Sequence, residues 1–152
     1  MATTVTPAAL KVTLTEQYLL DGVQYGNSRI KTIANQGEVD QRIMSVSTKG
    51  EHGTTWTTIL ALSTVDAKVK ADYAYFRITN LDDTESFNLR LYNGADYFYF
   101  SVLAGDSFVL FSPDADSNAA VVVPTFADIE AIAGQSNSAT EDIDIEYLIV
   151  TE

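Results

Sequence analysis

Cysteine is missing from all 152 residues, which excludes disulfides, thiolate metal sites and cysteine nucleophiles together and suits a chain made in a reducing compartment. Histidine is nearly missing too. The one copy, His52, has no histidine or cysteine at metal-ligand spacing, so it predicts no zinc site and reads as a solvated residue of the turn Lys49-Gly50-Glu51-His52-Gly53. The N-terminal stretch Met1-Ala2-Thr3-Thr4-Val5-Thr6-Pro7 has no basic segment and no long apolar run. It predicts neither a signal peptide nor a membrane anchor, and hence a soluble product.

Basic side chains are absent from the C-terminal part. All 9 lysines and arginines stand at or before Arg90, beside 10 of the 21 acidic residues, while Leu91 to Glu152 carries the other 11 with no cation. The formal charge of −12 therefore lies almost wholly in that part. Such a balance repels phosphate backbones, so nucleic acid is not an expected partner. The acidic half reads either as a solvated face that aids solubility or as a surface for a basic neighbour.

What is present is β pattern, densest in residues 72–111, where DYAYFRITN, SFNLRLY, ADYFYFSVL and SFVLF are separated only by turn chemistry. These predict three or four adjacent antiparallel strands. Asn93-Gly94 suits a type I′ hairpin, which would pair Tyr92 with Ala95, Arg90 with Tyr97 and Phe87 with Phe100. One face then collects Phe87, Leu89, Leu91, Phe98 and Phe100, and the other Asn88, Arg90, Tyr92, Tyr97 and Tyr99.

Residues 1–9 read as a flexible arm, and 10–152 as one domain, a length that supports a single core without staples. Further strands are predicted at Leu10 to Thr15, followed by the turn signal Asp21-Gly22, and at Ser28 to Ala34, Arg42 to Thr48 and Thr54 to Leu62, the last centred on Trp56. Ser63 to Lys70 reads as a helical turn or an irregular crossover, and Ala119 to Val123 as an apolar run. One short helix is expected near 125–133, capped by Thr125 and Asp128, with Phe126, Ile129, Ile132 and Ala133 at helical spacing and Gly134 as its left-handed end. Ile143, Ile145, Tyr147 and Ile149 then alternate with Asp142, Asp144 and Glu146 in a last strand. The sum is an all-β fold: an antiparallel sandwich of nine or ten strands with one helix, jelly-roll-like.

Catalytic signals are weak. Gly105-Asp106-Ser107-Phe108 matches the start of a serine-esterase motif, yet no downstream histidine exists to serve as its base. Asp114, Asp116 and Asn118 open a calcium-loop pattern that fails at Ala119 and Thr125. No carboxylate pair is placed to flank a glycosidic bond. No cofactor is expected.

The stronger lead is aromatic. Tyr73, Tyr75 and Arg77 share one face of their strand, and Arg90, Tyr92, Tyr97 and Tyr99 share one face of the next two. If the faces coincide, the sheet has a tyrosine side, which reads as ordinary half-buried strand residues, as a protein interface, or as a sugar-stacking platform.

The run Tyr75-Phe76-Arg77-Ile78-Thr79-Asn80-Leu81-Asp82-Asp83-Thr84, then Leu103-Ala104-Gly105-Asp106-Ser107-Phe108, the expected helix Asp128-Ile129-Glu130-Ala131-Ile132-Ala133 and the closing strand Ile145-Glu146-Tyr147-Leu148-Ile149, resembles small β-sandwich virion proteins of tailed bacteriophages. The resemblance covers roughly residues 70–150. It implies a non-enzymatic structural role in the virion: a capsid decoration (cement) protein, or a head-neck or tail component, usually oligomeric and often trimeric. Its partners would be capsid or other virion proteins. The contacts expected to carry that role are the tyrosine side together with Arg29 and Lys31. A carbohydrate- or receptor-binding module is the alternative.

Overall fold

A computed structural model describes residues 9–34, 39–49, 55–61, 73–111, 114–115 and 127–151. The expectations for residues 1–8, His52, Ser63 to Lys70, Asp116 to Asn118, Ala119 to Val123, Thr125 and Phe126 lie outside them.

The described residues form twelve β-strands and no helix. A long hairpin comes first: β1 (Leu10–Leu20) and β2 (Val23–Ile33), paired antiparallel along their whole length. Its turn is Asp21-Gly22, with φ of 49° and 80°. Both central residues are thus left-handed, the type I′ geometry whose twist matches paired strands.

Eight strands make the body. β3 (Val39–Val46), β12 (Ile143–Thr151), β5 (Tyr73–Asn80) and β8 (Ser107–Leu110) form one sheet in that order. β4 (Thr57–Ala61), β11 (Ala131–Ser136), β6 (Phe87–Tyr92) and β7 (Tyr97–Val102) form the other. Every pairing is antiparallel. Taken in chain order, the body strands run first-last-third-sixth and second-seventh-fourth-fifth, which is the double Greek key of a jelly roll. A short pair, β9 (Asp114–Ala115) with β10 (Ala127–Asp128), stands apart.

Alternation explains the layers. Phe87, Leu89 and Leu91 of β6 and Ile143, Ile145, Tyr147 and Ile149 of β12 point between the sheets with Phe76 and Ile78 of β5, and all are buried in one cluster. A smaller cluster lies outside the body. There Leu10, Val12 and Ile33, at the hairpin's base, pack against Ala74, Tyr75, Leu148 and Val150.

The strands of residues 72–111 are not all neighbours. β5 and β8 belong to one sheet and β6 and β7 to the other, so the chain crosses the sandwich twice. Asn80 holds both crossings. Its buried Nδ2 donates to the carbonyls of Glu85 at 2.8 Å and Leu103 at 3.1 Å, while its Oδ1 accepts from Asp82 N at 3.0 Å.

The β6–β7 hairpin is longer than a type I′ turn allows. Tyr92 pairs with Tyr97, Arg90 with Tyr99 and Phe87 with Val102, two residues from the expected register. Asn93 closes the loop instead, its N–H donating to the Asp96 carbonyl at 3.2 Å and its Oδ1 accepting from Asp96 N at 2.8 Å. A shift of two keeps every side chain on its expected face.

The expected helix near 125–133 is strand in its described part, β10 and β11. β11 lies inside its sheet and is buried along nearly all its length, which erases the alternation a half-exposed strand would show. Gly134 is no helix end. It faces the core, where a Cβ would lie 3.1 Å from Ile59 Cδ1 and 3.2 Å from Val46 Cγ1.

Candidate protein interface on the aromatic sheet face

Because Phe87, Leu89 and Leu91 face inward, Asn88, Arg90 and Tyr92 face outward on β6, and Tyr97, Tyr99 and Ser101 do so on β7. Pairing places Ala131, Ala133 and Gln135 beside them on β11. Ala133 is buried although it points outward. A side-chain layer therefore covers the sheet here, and the small residues beneath leave it room.

That layer is built around Arg90. Its guanidinium lies 4.4 Å from the ring centre of Trp56 and 4.9 Å from that of Tyr97. The rings continue outward: Tyr92 stacks on Tyr97 at 4.7 Å with planes 28° apart, and Tyr99 lies 5.8 Å from Trp56 and 6.3 Å from Tyr97. Tyr97 and Tyr99 are 49% and 60% exposed, so the layer ends in an open aromatic surface.

Hydrogen bonds hold its margins. Gln135 Nε2 donates to the Thr55 carbonyl at 2.6 Å, fixing the chain just before Trp56. Asn88 Nδ2 donates to Asn137 Oδ1 at 2.6 Å, and Asn137 Nδ2 to Ser86 Oγ at 2.7 Å. The Tyr92 hydroxyl donates to the Gly94 carbonyl at 2.6 Å. A rigid aromatic centre with an amide rim results, and it matches the composition of protein–protein contact surfaces.

The expected site residues fall into three places. Arg90, Tyr92, Tyr97 and Tyr99 come together as anticipated. Tyr75 and Arg77 do not join them, since β5 lies in the other sheet with its outward residues on the opposite side of the molecule. Tyr75 is 4% exposed, sealed under the hairpin base and 5.3 Å from the Phe111 ring. Burial raises its phenol pKa, against the opposing pull of the Arg77 charge. Arg77 Nη2 donates to Glu146 Oε1 at 2.6 Å. Tyr73 opens β5 opposite Thr151, and its side chain lies outside the described residues. Arg29 and Lys31 sit on β2, Lys31 with its Nζ 5.1 Å from the Phe111 ring centre.

Trp56 is the member that sequence reading missed. It was visible as the sole tryptophan, but only the neighbouring of β4, β11 and β6 brings it over Arg90. The esterase-like Ser107 is tied elsewhere, its Oγ 2.8 Å from Thr79 Oγ1. Among the described residues no group of three or more histidine, cysteine or acidic side chains is arranged to hold a metal ion, and no helix is long and apolar enough to cross a membrane.

No protein-family model, no curated protein and no solved structure matches this chain.

Proposed function

We propose that this chain is a non-enzymatic structural protein of a tailed-bacteriophage virion, a decoration protein that binds the capsid surface through protein–protein contacts made by the Trp56–Arg90–Tyr97–Tyr99 face. The observation that carries this reading is the Arg90 guanidinium held between the rings of Trp56 and Tyr97 on an exposed sheet face. Tryptophan, tyrosine and arginine are enriched among the residues that dominate binding energy at protein interfaces: the two aromatics cover large area with few rotamers to freeze, and the planar guanidinium stacks on them and donates several hydrogen bonds. The jelly-roll body points the same way, as do the strand and turn segments of the resemblance over residues 70–150; its helix, expected at Asp128 to Ala133, is absent and lends no support. No cofactor and no nucleic acid enter this role.

The test is compositional and then mutational. Mass spectrometry of purified particles should find the chain at high copy number; its absence from particles rejects the reading, and a few copies place it at the neck or tail. Tyr99→Ala and Trp56→Ala should each weaken binding to capsid shells by at least about thirtyfold, the effect of an interface anchor.

The same exposed rings beside amide side chains favour a second reading, a carbohydrate- or receptor-binding module. In that case a glycan array, not a capsid shell, retains the protein, and Tyr97→Ala or Tyr99→Ala abolishes retention.

A further inference from the structure

The β1–β2 hairpin gathers most of its apolar residues on one side, and only the base of that side is covered. Pairing puts Leu10, Val12, Leu14, Glu16, Tyr18 and Leu20 of β1 on the same side as Ile33, Lys31, Arg29, Asn27, Tyr25 and Val23 of β2, with Leu19 and Ile30 on the other. Leu10, Val12 and Ile33 pack on the outer face of the β3-β12-β5-β8 sheet. Beyond them Leu14, Tyr18, Leu20, Val23 and Tyr25 are between 45% and 59% exposed. Tyr18 and Tyr25 stack on each other at 5.4 Å with planes 14° apart. From Leu14 to Leu20 the arm reaches roughly 20 Å. A two-stranded hairpin alone is only marginally stable in water, and both its strands are sheet edges.

The surface that would receive such a face is on the same chain. The outer face of the β3-β12-β5-β8 sheet, where the arm's base already sits, continues along the edge strand β3 into Val39 and Ile43, exposed at 53% and 67%. Beside them on β12 stand Glu146, opposite Ile43, and Asp144, opposite Ser45; Glu146 also accepts from Arg77 of β5 at 2.6 Å, so the three charges sum to −1. Charge is complementary as well. Residues 9–34 carry Lys11, Arg29 and Lys31 against Glu16 and Asp21, net +1, in a chain whose total is −12. The arm is thus positive in an acidic molecule, and another copy offers it Val39 and Ile43 beside Asp144 and Glu146, on the sheet face its base already uses.

We infer that the hairpin arm docks on a second copy of this chain, its Leu14-Tyr18-Tyr25 face lying along the Val39-Ile43 side of the neighbour's sheet. The contact is heterologous, arm to sheet, and closes as a reciprocal pair or a ring. It extends the third layer begun by Leu10, Val12 and Ile33. It does not depend on capsid binding, because it concerns the isolated protein and uses a different face.

The test is the solution mass of the purified full chain by light scattering and sedimentation. Wild type should associate at micromolar concentration; a monomer at about 100 μM overturns the inference. Leu14→Glu on the arm and Ile43→Glu on the sheet should each weaken association at least about 100-fold. Mixing the two restores one intact arm-to-sheet contact and should give a heterodimer, which also shows that both variants fold. Failure of the mixture to associate, or an Ile43→Glu protein with wild-type mass, as arm-to-arm pairing would produce, rejects it. Arg29→Glu leaves every apolar contact in place and should weaken association about tenfold at low salt, with less effect at high salt; no change counts against the charge match. Thr13→Glu, on the arm's polar face, should leave the mass unaltered.

Discussion

The Arg90 guanidinium lies 4.4 Å from the centre of the Trp56 ring, joining β6 to the segment that leads into β4 across the intervening β11. A cation over an indole contributes about 0.5–1 kcal/mol at exposed sites and about 2 kcal/mol when desolvated. Trp56 is the only tryptophan, so its fluorescence reports the pair without interference. Arg90→Ala should shift the emission to the red and leave the melting temperature within a few degrees of wild type. Arg90→Lys keeps the charge but not the flat stacking surface, and should fall between them. Unchanged emission in Arg90→Ala would show that the pair is not maintained in solution.

Asn80 is 1% exposed and joins the two crossings between the sheets. Removing its amide leaves the part-buried Glu85 carbonyl and the Asp82 N–H without this partner, while the Leu103 carbonyl keeps the Asp106 N–H at 3.0 Å; each unpaired group costs about 1–3 kcal/mol. Asn80→Ala should therefore destabilise by about 2–4 kcal/mol in urea unfolding. Asn80→Asp should be worse, because a carboxylate would replace the donor that faces the carbonyls of Glu85 and Leu103. An Asp variant more stable than the Ala variant would contradict these contacts.

Side-chain direction was readable from the residues, and strand neighbourhood was not. Tyr92 pairs with Tyr97 instead of Ala95, yet Phe87, Leu89 and Leu91 face the core as alternation requires, because a slip of two preserves parity. Tyr75 and Tyr97 alternate equally well, but alternation carries no information about which sheet a strand joins. Their separation is decided by the crossings at Asn80 and Gly105. The helix expectation failed at Ile129, Ile132 and Ala133, whose spacing fits a helical face. All three are buried; Ile132 and Ala133 belong to β11, a strand covered on both sides that has no period of its own, and Ile129 lies between β10 and β11. Asp21-Gly22, read only as a turn signal, is the type I′ turn that Asn93-Gly94 had been expected to make.

Asp82 gives the loop between β5 and β6 a pH dependence. Its Oδ1 accepts from Glu85 N at 2.7 Å and Thr84 N at 2.8 Å. Those bonds favour the ionised form and hold its pKa below the ordinary carboxylate value. A depressed folded pKa means that the stabilisation is complete above the unfolded value of about 3.9 and disappears as pH falls through the lower folded value. Asp82→Asn should therefore reduce stability at neutral pH and flatten the acid limb of the stability curve, read from urea midpoints against pH. An acid limb parallel to that of wild type would remove Asp82 from its causes.

Gly134 offers the sharpest test of strand against helix in β11. As a left-handed helix end, glycine would be required for its φ; as an inward strand residue, it is required for the space between Val46 and Ile59. A methyl group there needs its neighbours to yield by a few tenths of an ångström, and overpacking a filled core costs about 1–3 kcal/mol. Gly134→Ala should lie at the low end of that range. Val46→Ala alone should also destabilise, since Val46 is fully buried and its loss leaves a cavity. Together the two changes should cost less than their sum, because the new methyl group occupies the space the valine vacates, with a coupling of about 0.5–1 kcal/mol. A double-mutant cycle on unfolding free energies measures this. Additive effects would place residue 134 away from Val46, and with it would fall the packing of β11 against β3 across the sandwich.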